Sequence, residues 1–127
     1  MYRVGNQKLS CVDIMIPVAA GTVIHEMTMV AINADGYAVE ASKAENLTVA
    51  GCALTLTDNS SGAAGAVTVP VRRAAFVWAN DGSIKQTDLL KDAYVSDAQT
   101  VTITAEGSSR AGKILAVDDD GVTIEMV

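Results

Sequence analysis

Apolar and polar residues alternate along much of the chain, and this alternation predicts β-strands. The clearest case is the segment 12–18, in which every second residue is a branched apolar one: Val12, Ile14, Ile16 and Val18. A period of two places these side chains on one face of a strand, so that face is predicted to be buried. Because Pro17 has no backbone N–H, we expect this strand to lie at a sheet edge or to end there.

Three segments rich in Asn, Asp and Gly predict tight turns between strands: Asn33–Gly36, Asn80–Gly82 and Asp118–Gly121. Further strands are expected near residues 23–32, 37–40, 47–57, 67–78, 93–96, 100–105, 112–118 and 122–127, with one helical turn over residues 87–92. The prediction is therefore an all-β protein, a small single-domain β-barrel or sandwich of about eight or nine short strands joined by hairpin turns.

Composition supports this fold class and limits the partners. Val, Ile and Thr make up 35 of the 127 residues, which favours strands over helices. The length predicts one β-domain over residues 11–127, and residues 1–10, which lack a strand period, are predicted to be a flexible N-terminal arm. A net charge of −6 argues against nucleic acid, and the absence of an apolar run of about 20 residues argues against a membrane.

The residue types that act in catalysis or bind metals and cofactors in other proteins form no such pattern in this sequence. We therefore expect a protein that is not an enzyme. Cys11 and Cys52 stand in apolar runs and are expected to be buried thiols. His25, the single histidine, has no nucleophile or metal-ligand set beside it in the sequence. We interpret it as a structural or interface residue.

Two glycine segments resemble ligand loops only in part. Gly107–Lys113 fits the spacing G-x-x-x-x-G-K, but Ile114 stands where a phosphate-binding loop has Ser or Thr, and no helix is predicted after it. The acidic residues of Asp118–Gly121 are contiguous rather than at alternate positions, which is typical of a solvated hairpin and not of a calcium loop.

One further segment keeps an alternative open. Val39–Ala44 is similar to the lysine-bearing hairpin of lipoyl carrier domains and would display Lys43, although Ser42 stands where that hairpin has an acid. A lipoyl-type carrier is therefore the rival prediction from a different class of protein.

A self-association surface is predicted from the strand around residues 67–78. Alternation places Arg73 on the face of Val67, Val69 and Val71, so either a bulge redirects it or it pairs with an acid at a subunit contact. Aromatic residues are enriched at such contacts, and the candidates are Phe76, Trp78 and Tyr94. We expect a homo-oligomer.

The order of several motifs resembles that of a known family. These are Ala19–Ile24, Met29–Val39, Asp58–Gly65, Val69–Arg73, Tyr94–Val101, Ala111–Ile114 and Asp120–Ile124. Together, over residues 12–127, the chain is similar to the capsid decoration, or head cement, proteins of phages and prophages, of which the lambda head decoration protein is the best-known functional type.

This resemblance implies a virion structural protein without catalytic residues. Because such proteins are often trimers, the resemblance also favours a trimer over a dimer for the expected homo-oligomer. Such a protein is made in the host cytoplasm, binds the major capsid protein on the outer surface of the assembled head and stabilises the shell. A tail or head–tail component is the alternative within the same class. Arg3 and Lys8 in the predicted arm are candidates for contacts with capsid carboxylates.

Overall fold

A computed structural model describes residues 12–126, which fold into twelve short strands. The strands are β1 (Val12–Pro17), β2 (Thr22–Ile24), β3 (Met29–Ile32), β4 (Ala38–Glu40), β5 (Thr48–Ala53), β6 (Thr57–Asn59), β7 (Thr68–Arg73), β8 (Ala75–Asn80), β9 (Asp92–Asp97), β10 (Thr100–Thr102), β11 (Arg110–Asp118) and β12 (Gly121–Glu125). One turn of 3-10 helix, Gln86–Asp88, is the only helical element in this range. The all-β prediction is confirmed.

The first seven strands form an open sheet and a ribbon. Five of them lie in the order β1-β7-β5-β3-β4 with antiparallel neighbours, and β2 pairs with β6. β1 lies at the edge of the sheet, and its last residue, Pro17, is opposite Thr68. The expected edge position of this strand is therefore confirmed.

The last five strands form a closed barrel in the order β10-β8-β12-β11-β9. The pair β8 and β10 is parallel and closes the barrel, whereas the other neighbours are antiparallel. The chain passes from the sheet to the barrel at Ala74. The two architectures thus occupy consecutive parts of the sequence.

Two apolar clusters make up the core. One lies on a single face of the sheet and contains Ile16, Val18, Ile24, Val30, Ala38, Ala50, Ala53, Val69 and Val71. The other combines the opposite face of the sheet with the barrel interior; its sheet members are Met29, Ala31, Ala41 and Cys52, and its barrel members include Trp78, Val95, Val101, Ile114 and Ile124. We call this second cluster the shared core, because it joins the sheet to the barrel.

Hydrogen bonds also join the sheet to the barrel. The Met29 N–H donates to the Ala98 carbonyl at 2.8 Å. The Ser109 hydroxyl donates to the Ala44 carbonyl at 2.6 Å and accepts the Leu47 N–H at 3.1 Å. These bonds fix how the loops of the sheet lie against the barrel.

Several predicted strands are divided, which raises the number from the expected eight or nine to twelve. The segment 23–32 is broken at residues 25–28, the segment 47–57 by the bend at residues 54–56, and the segment 67–78 at Ala74. Each division moves the chain to another sheet. Alternation of apolar residues does not reveal such changes of partner.

Two of the three predicted hairpin turns are confirmed. Asn33–Gly36 joins β3 to β4, and the Asn33 side chain accepts the N–H groups of Asp35 and Tyr37, each at 3.0 Å. In the second hairpin, Asp118 is opposite Gly121 between β11 and β12. Gly121 has a φ of 136°, and a Cβ atom there would lie 2.3 Å from the Trp78 carbonyl oxygen.

The prediction of a hairpin at Asn80–Gly82 is wrong. β8 pairs with β10 and β12 instead of the next strand, β9. The Asn80 side chain stabilises a longer loop, in which it accepts the Gly82 N–H at 2.8 Å and donates to the Ile84 carbonyl at 2.9 Å. The same turn residues therefore serve a loop that crosses the barrel end.

Within residues 12–126, no helix is long and apolar enough to cross a bilayer.

The barrel interior provides a test of the fold. Ile114 is fully buried in the shared core, whereas its neighbour Leu115 is 38% exposed. We expect Ile114→Ala to lower the free energy of unfolding by about 2–5 kcal/mol, because it removes buried methylene groups and leaves a cavity. Leu115→Ala is the matched control and should cost less than about 1 kcal/mol. Urea unfolding followed by Trp78 fluorescence measures both; equal losses would contradict the assigned strand orientation.

Candidate functional site

Two adjoining depressions lie where the loop of residues 25–28 meets the turn between β9 and β10. The first, which we call the apolar cleft, has a volume of about 290 Å³ and is lined by Met27, Cys52, Phe76, Val77, Trp78 and Gln99. The second is polar, measures about 460 Å³ and is lined by His25, Thr28, Glu40, Asp97, Ala98 and Gln99. Gln99 borders both.

The apolar cleft is held open by a strained loop residue and a packed floor. Met27 has a φ of 60°, an uncommon conformation for a bulky side chain, and its N–H donates to the Ala53 carbonyl at 2.8 Å. Its Sδ atom is 3.9 Å from the Sγ of Cys52. Behind them, the indole N–H of Trp78 donates to the Met126 sulfur at 3.2 Å. Met27 and Val77 are more than half exposed, so the cleft has an apolar rim.

The polar depression contains a His–Glu pair. The Oε2 atom of Glu40 is 2.8 Å from Nδ1 of His25 and accepts the His25 backbone N–H at 2.7 Å. The Thr28 hydroxyl donates to the His25 carbonyl at 2.8 Å. These contacts stabilise the loop, because they bind the acceptor groups of His25 and Glu40 to the loop itself. The interpretation of His25 as an interface residue stays a prediction.

Arg73 has a partner that the sequence did not indicate. The strand register between β1 and β7 runs without a shift up to the pair Val12 and Arg73, so no bulge redirects the side chain. Its Nη1 atom donates to the carbonyl oxygen of Ala50 at 2.7 Å. The buried face is therefore compatible with an arginine through a backbone acceptor of the same chain, and a role at a subunit contact stays a prediction.

The aromatic interface candidates lie at different depths. Trp78 is only 5% exposed because its ring is packed in the shared core, and its role at a subunit contact stays a prediction. Phe76 is half-buried, with its ring 6.1 Å from that of Trp78, and it reaches the apolar cleft. Tyr94 is half-buried on β9. Arg3 and Lys8, together with the predicted arm at residues 1–10, lie outside the described residues.

The segments considered as ligand loops have structural explanations. Gly112 lies within β11, and a Cβ atom there would be 2.3 Å from the Glu125 carbonyl oxygen, so close packing of β11 against β12 requires glycine. The turn at Asp118–Gly121 is a hairpin in which the Asp118 side chain accepts the Asp120 N–H at 2.9 Å. Among residues 12–126, no group of three or more His, Cys, Asp or Glu side chains is arranged to hold a metal ion.

One ion pair depends on a register that the sequence alone does not reveal. Asp13 on β1 is directly opposite Arg72 on β7, and the guanidinium donates from Nε to Oδ1 at 2.7 Å and from Nη2 to Oδ2 at 3.0 Å. These hydrogen bonds hold the pKa of Asp13 below its usual value. Because both side chains are exposed, the pair contributes little to the free energy of unfolding. Its position is consistent with the register of β1 against β7.

Comparison of the chain with models of protein families, with curated proteins and with solved structures gave no match.

The alkylation rate of the Cys52 thiol tests its position in the apolar cleft. Burial raises the pKa of its thiol, against the smaller opposing effect of the Arg72 charge, and the side chain is fully buried. In a Cys11→Ser background, we therefore expect slow alkylation by iodoacetamide near pH 8 and rapid alkylation in urea. Met27→Ala should raise the rate several-fold because it uncovers the thiol, whereas Met15→Ala, at a side chain 61% exposed on the edge strand β1, should not. Mass spectrometry follows the reaction; equal rates in both variants would contradict the position of Cys52 at the cleft floor.

Proposed function

We propose that this protein is a capsid decoration, or cement, protein that binds the outer surface of an assembled phage head and stabilises it. Two observations support the proposal. The motifs that resemble this family occur in order along residues 12–127, and the described residues form a small all-β module of the kind that the resemblance implies.

The observation that carries the proposal furthest is the distribution of exposed apolar side chains. Nine large apolar residues are 37% to 65% exposed, and they are Val12, Met15, Met27, Leu56, Val67, Val77, Leu89, Leu90 and Leu115. They lie on the sheet edge, on loops and on the barrel. Single exposed apolar residues are ordinary, but Met27 and Val77 lie together on the rim of the apolar cleft, and Leu89 is next to Leu90. Clustered exposed apolar residues of this kind mark interaction surfaces. On a shell, such contacts are repeated many times and add by multivalency.

The rival from another class has less support. A lipoyl carrier displays its lysine at the tip of a hairpin, but β4 and β5, which flank Lys43, each pair with β3 and not with one another. Lys43 therefore lies in a longer loop over residues 41–47, in which its own side chain is exposed. A tail or head–tail component shares the supporting observations with a decoration protein, and the two are separated by experiment.

Co-sedimentation tests the proposal directly. Purified, expanded heads of the phage or prophage that encodes the chain, emptied of any decoration protein, are mixed with the purified protein and pelleted. We expect saturable binding to heads, no binding to purified tails, and a higher temperature of head disruption after binding. Binding to tails alone would favour the alternative, and binding to neither would contradict both.

The N-terminal segment is a candidate for the shell contact. Arg3 and Lys8 are two of nine basic residues in a chain with 15 acidic ones. We expect deletion of residues 1–10 to weaken binding to heads while the circular dichroism spectrum is unchanged, because the segment supplies backbone and charged contacts. Arg3→Ala with Lys8→Ala separates the charges from the backbone. Unchanged affinity after deletion would place the shell contact on the β-domain.

The carrier alternative has its own test. The chain is expressed in cells supplied with lipoate, and its intact mass is compared with that of Lys43→Arg. We expect identical behaviour and no lipoyl adduct. An adduct on the wild-type chain that is lost in Lys43→Arg would establish the carrier function instead.

A further inference from the structure

Two surface features at opposite ends of strand β9 suggest how copies of the chain contact one another. The first is the apolar cleft, which lies beside Gln99, just after the end of the strand. The second lies just before its start and consists of Leu89 and Leu90 with Lys85 and Lys91, which we call the leucine knob. Leu90 is 65% exposed, the most exposed of the large apolar side chains in the described part of the chain.

Backbone strain marks both features. Three non-glycine residues among residues 12–126 have a left-handed φ: Met27, Asn46 and Leu90. Asparagine adopts this conformation readily, but a bulky apolar residue does so at a cost. Leu90, with a φ of 67°, is held by its N–H, which donates to the Ile114 carbonyl at 2.7 Å. An unfavourable backbone conformation thus occurs at Met27 on the cleft rim and at Leu90 in the knob.

The cleft and the knob match in size and in charge. A cavity of about 150 Å³ accommodates one benzene-sized group, so the cleft of about 290 Å³ has room for roughly two groups of that size. The knob segment 85–91 carries two lysines and one aspartate, Asp88, whose Oδ1 is 3.5 Å from Nζ of Lys91, so the segment has a net charge of +1. Beside the cleft lie Glu26, adjacent to Met27, and Asp97, close to Gln99. In a chain of net charge −6, this lysine-flanked apolar patch is complementary to a carboxylate-flanked apolar cleft.

The knob cannot enter the cleft of its own chain. β9 runs from Asp92 to Asp97, which separates its ends by about 17 Å at 3.4 Å per residue. A contact between knob and cleft therefore requires two copies, and when it is repeated head-to-tail it closes a ring if the rotation between copies permits.

We propose that the leucine knob of one copy occupies the apolar cleft of the next and that this contact builds the ring. This inference rests on the homo-oligomer expected from the sequence, and it assigns that oligomer a head-to-tail contact. It also gives Phe76 an interface role through the cleft wall, in place of the buried Trp78.

Two single variants and a mixture test the contact. Leu90→Asp should fold as well as the wild type, because aspartate tolerates a left-handed φ. It should weaken association about thirtyfold or more, as expected for an interface hot spot. Val77→Glu, which adds a carboxylate at the exposed cleft rim, should do the same. Leu56→Asp, at a side chain 59% exposed on the loop between β5 and β6, is the matched control and should leave the oligomer intact.

The mixture distinguishes a contact between knob and cleft from a contact between two identical surfaces. Leu90→Asp retains its cleft and Val77→Glu retains its knob, so an equimolar mixture should give pairs of two chains, although each variant alone is a monomer by analytical ultracentrifugation. Exposed charges provide a second set: Lys91→Glu should weaken association, and mixing it with Glu26→Lys should restore it in part.

Failure of this contact and failure of the shell function are read separately. A wild-type chain that is monomeric at micromolar concentration, or variants that associate like the wild type, would overturn the knob-and-cleft contact, even if the chain still co-sediments with heads. A mixture that forms no pairs would overturn the head-to-tail arrangement. Co-sedimentation with heads reports on the shell function whatever the oligomeric state.

Discussion

The shared core joins the open sheet to the barrel, and the other features of the fold depend on it. On the sheet side it consists of Met29, Ala31, Ala41 and Cys52, which pack against the barrel residues. Neither architecture covers this apolar surface by itself. The sheet also buries side chains in a second cluster on its other face. The buried apolar side chains of the barrel, in contrast, all belong to the shared core. The position of the apolar cleft follows from this arrangement, because the cleft lies at the margin of the shared core.

The barrel depends on a small number of exact backbone approaches. Gly112 and Gly121 lie where a Cβ atom would come within 2.3 Å of a carbonyl oxygen of the neighbouring strand. Both glycines belong to segments whose sequence resembles ligand loops. Close packing of strands and binding of phosphate or calcium require the same residue for the same reason, which is that a backbone or a ligand must approach without a side chain between them. The sequence pattern alone does not distinguish these uses.

The fold class and two of the three hairpins were predictable because they depend on local chemistry: β-branched residues, alternation and turn residues such as Asn33 and Gly121. The division of the strands was not predictable. Ala74 has no sequence feature that distinguishes it from its neighbours, and the break there depends on which sheet the following residues join. The candidate site was less accessible still. Met27, Val77 and Leu90 carry no motif, and their exposure and backbone conformation follow from the folded chain. The pairing of Asp13 with Arg72 likewise depends on a register between residues that are far apart in the sequence.

The division at Ala74 also has a consequence for the order in which the protein is made. β1 pairs with β7, so its hydrogen-bonding partner is translated about 3–11 s later at 5–20 residues per second. All strands of the sheet leave the ribosome before any strand of the barrel, and the sheet side of the shared core has no cover until β8–β12 follow. A sheet that formed in that interval would carry Met29 and Cys52 on an apolar surface open to other nascent chains. Their burial is therefore a late event of synthesis, and a chain that stops near Ala74 would present this surface permanently.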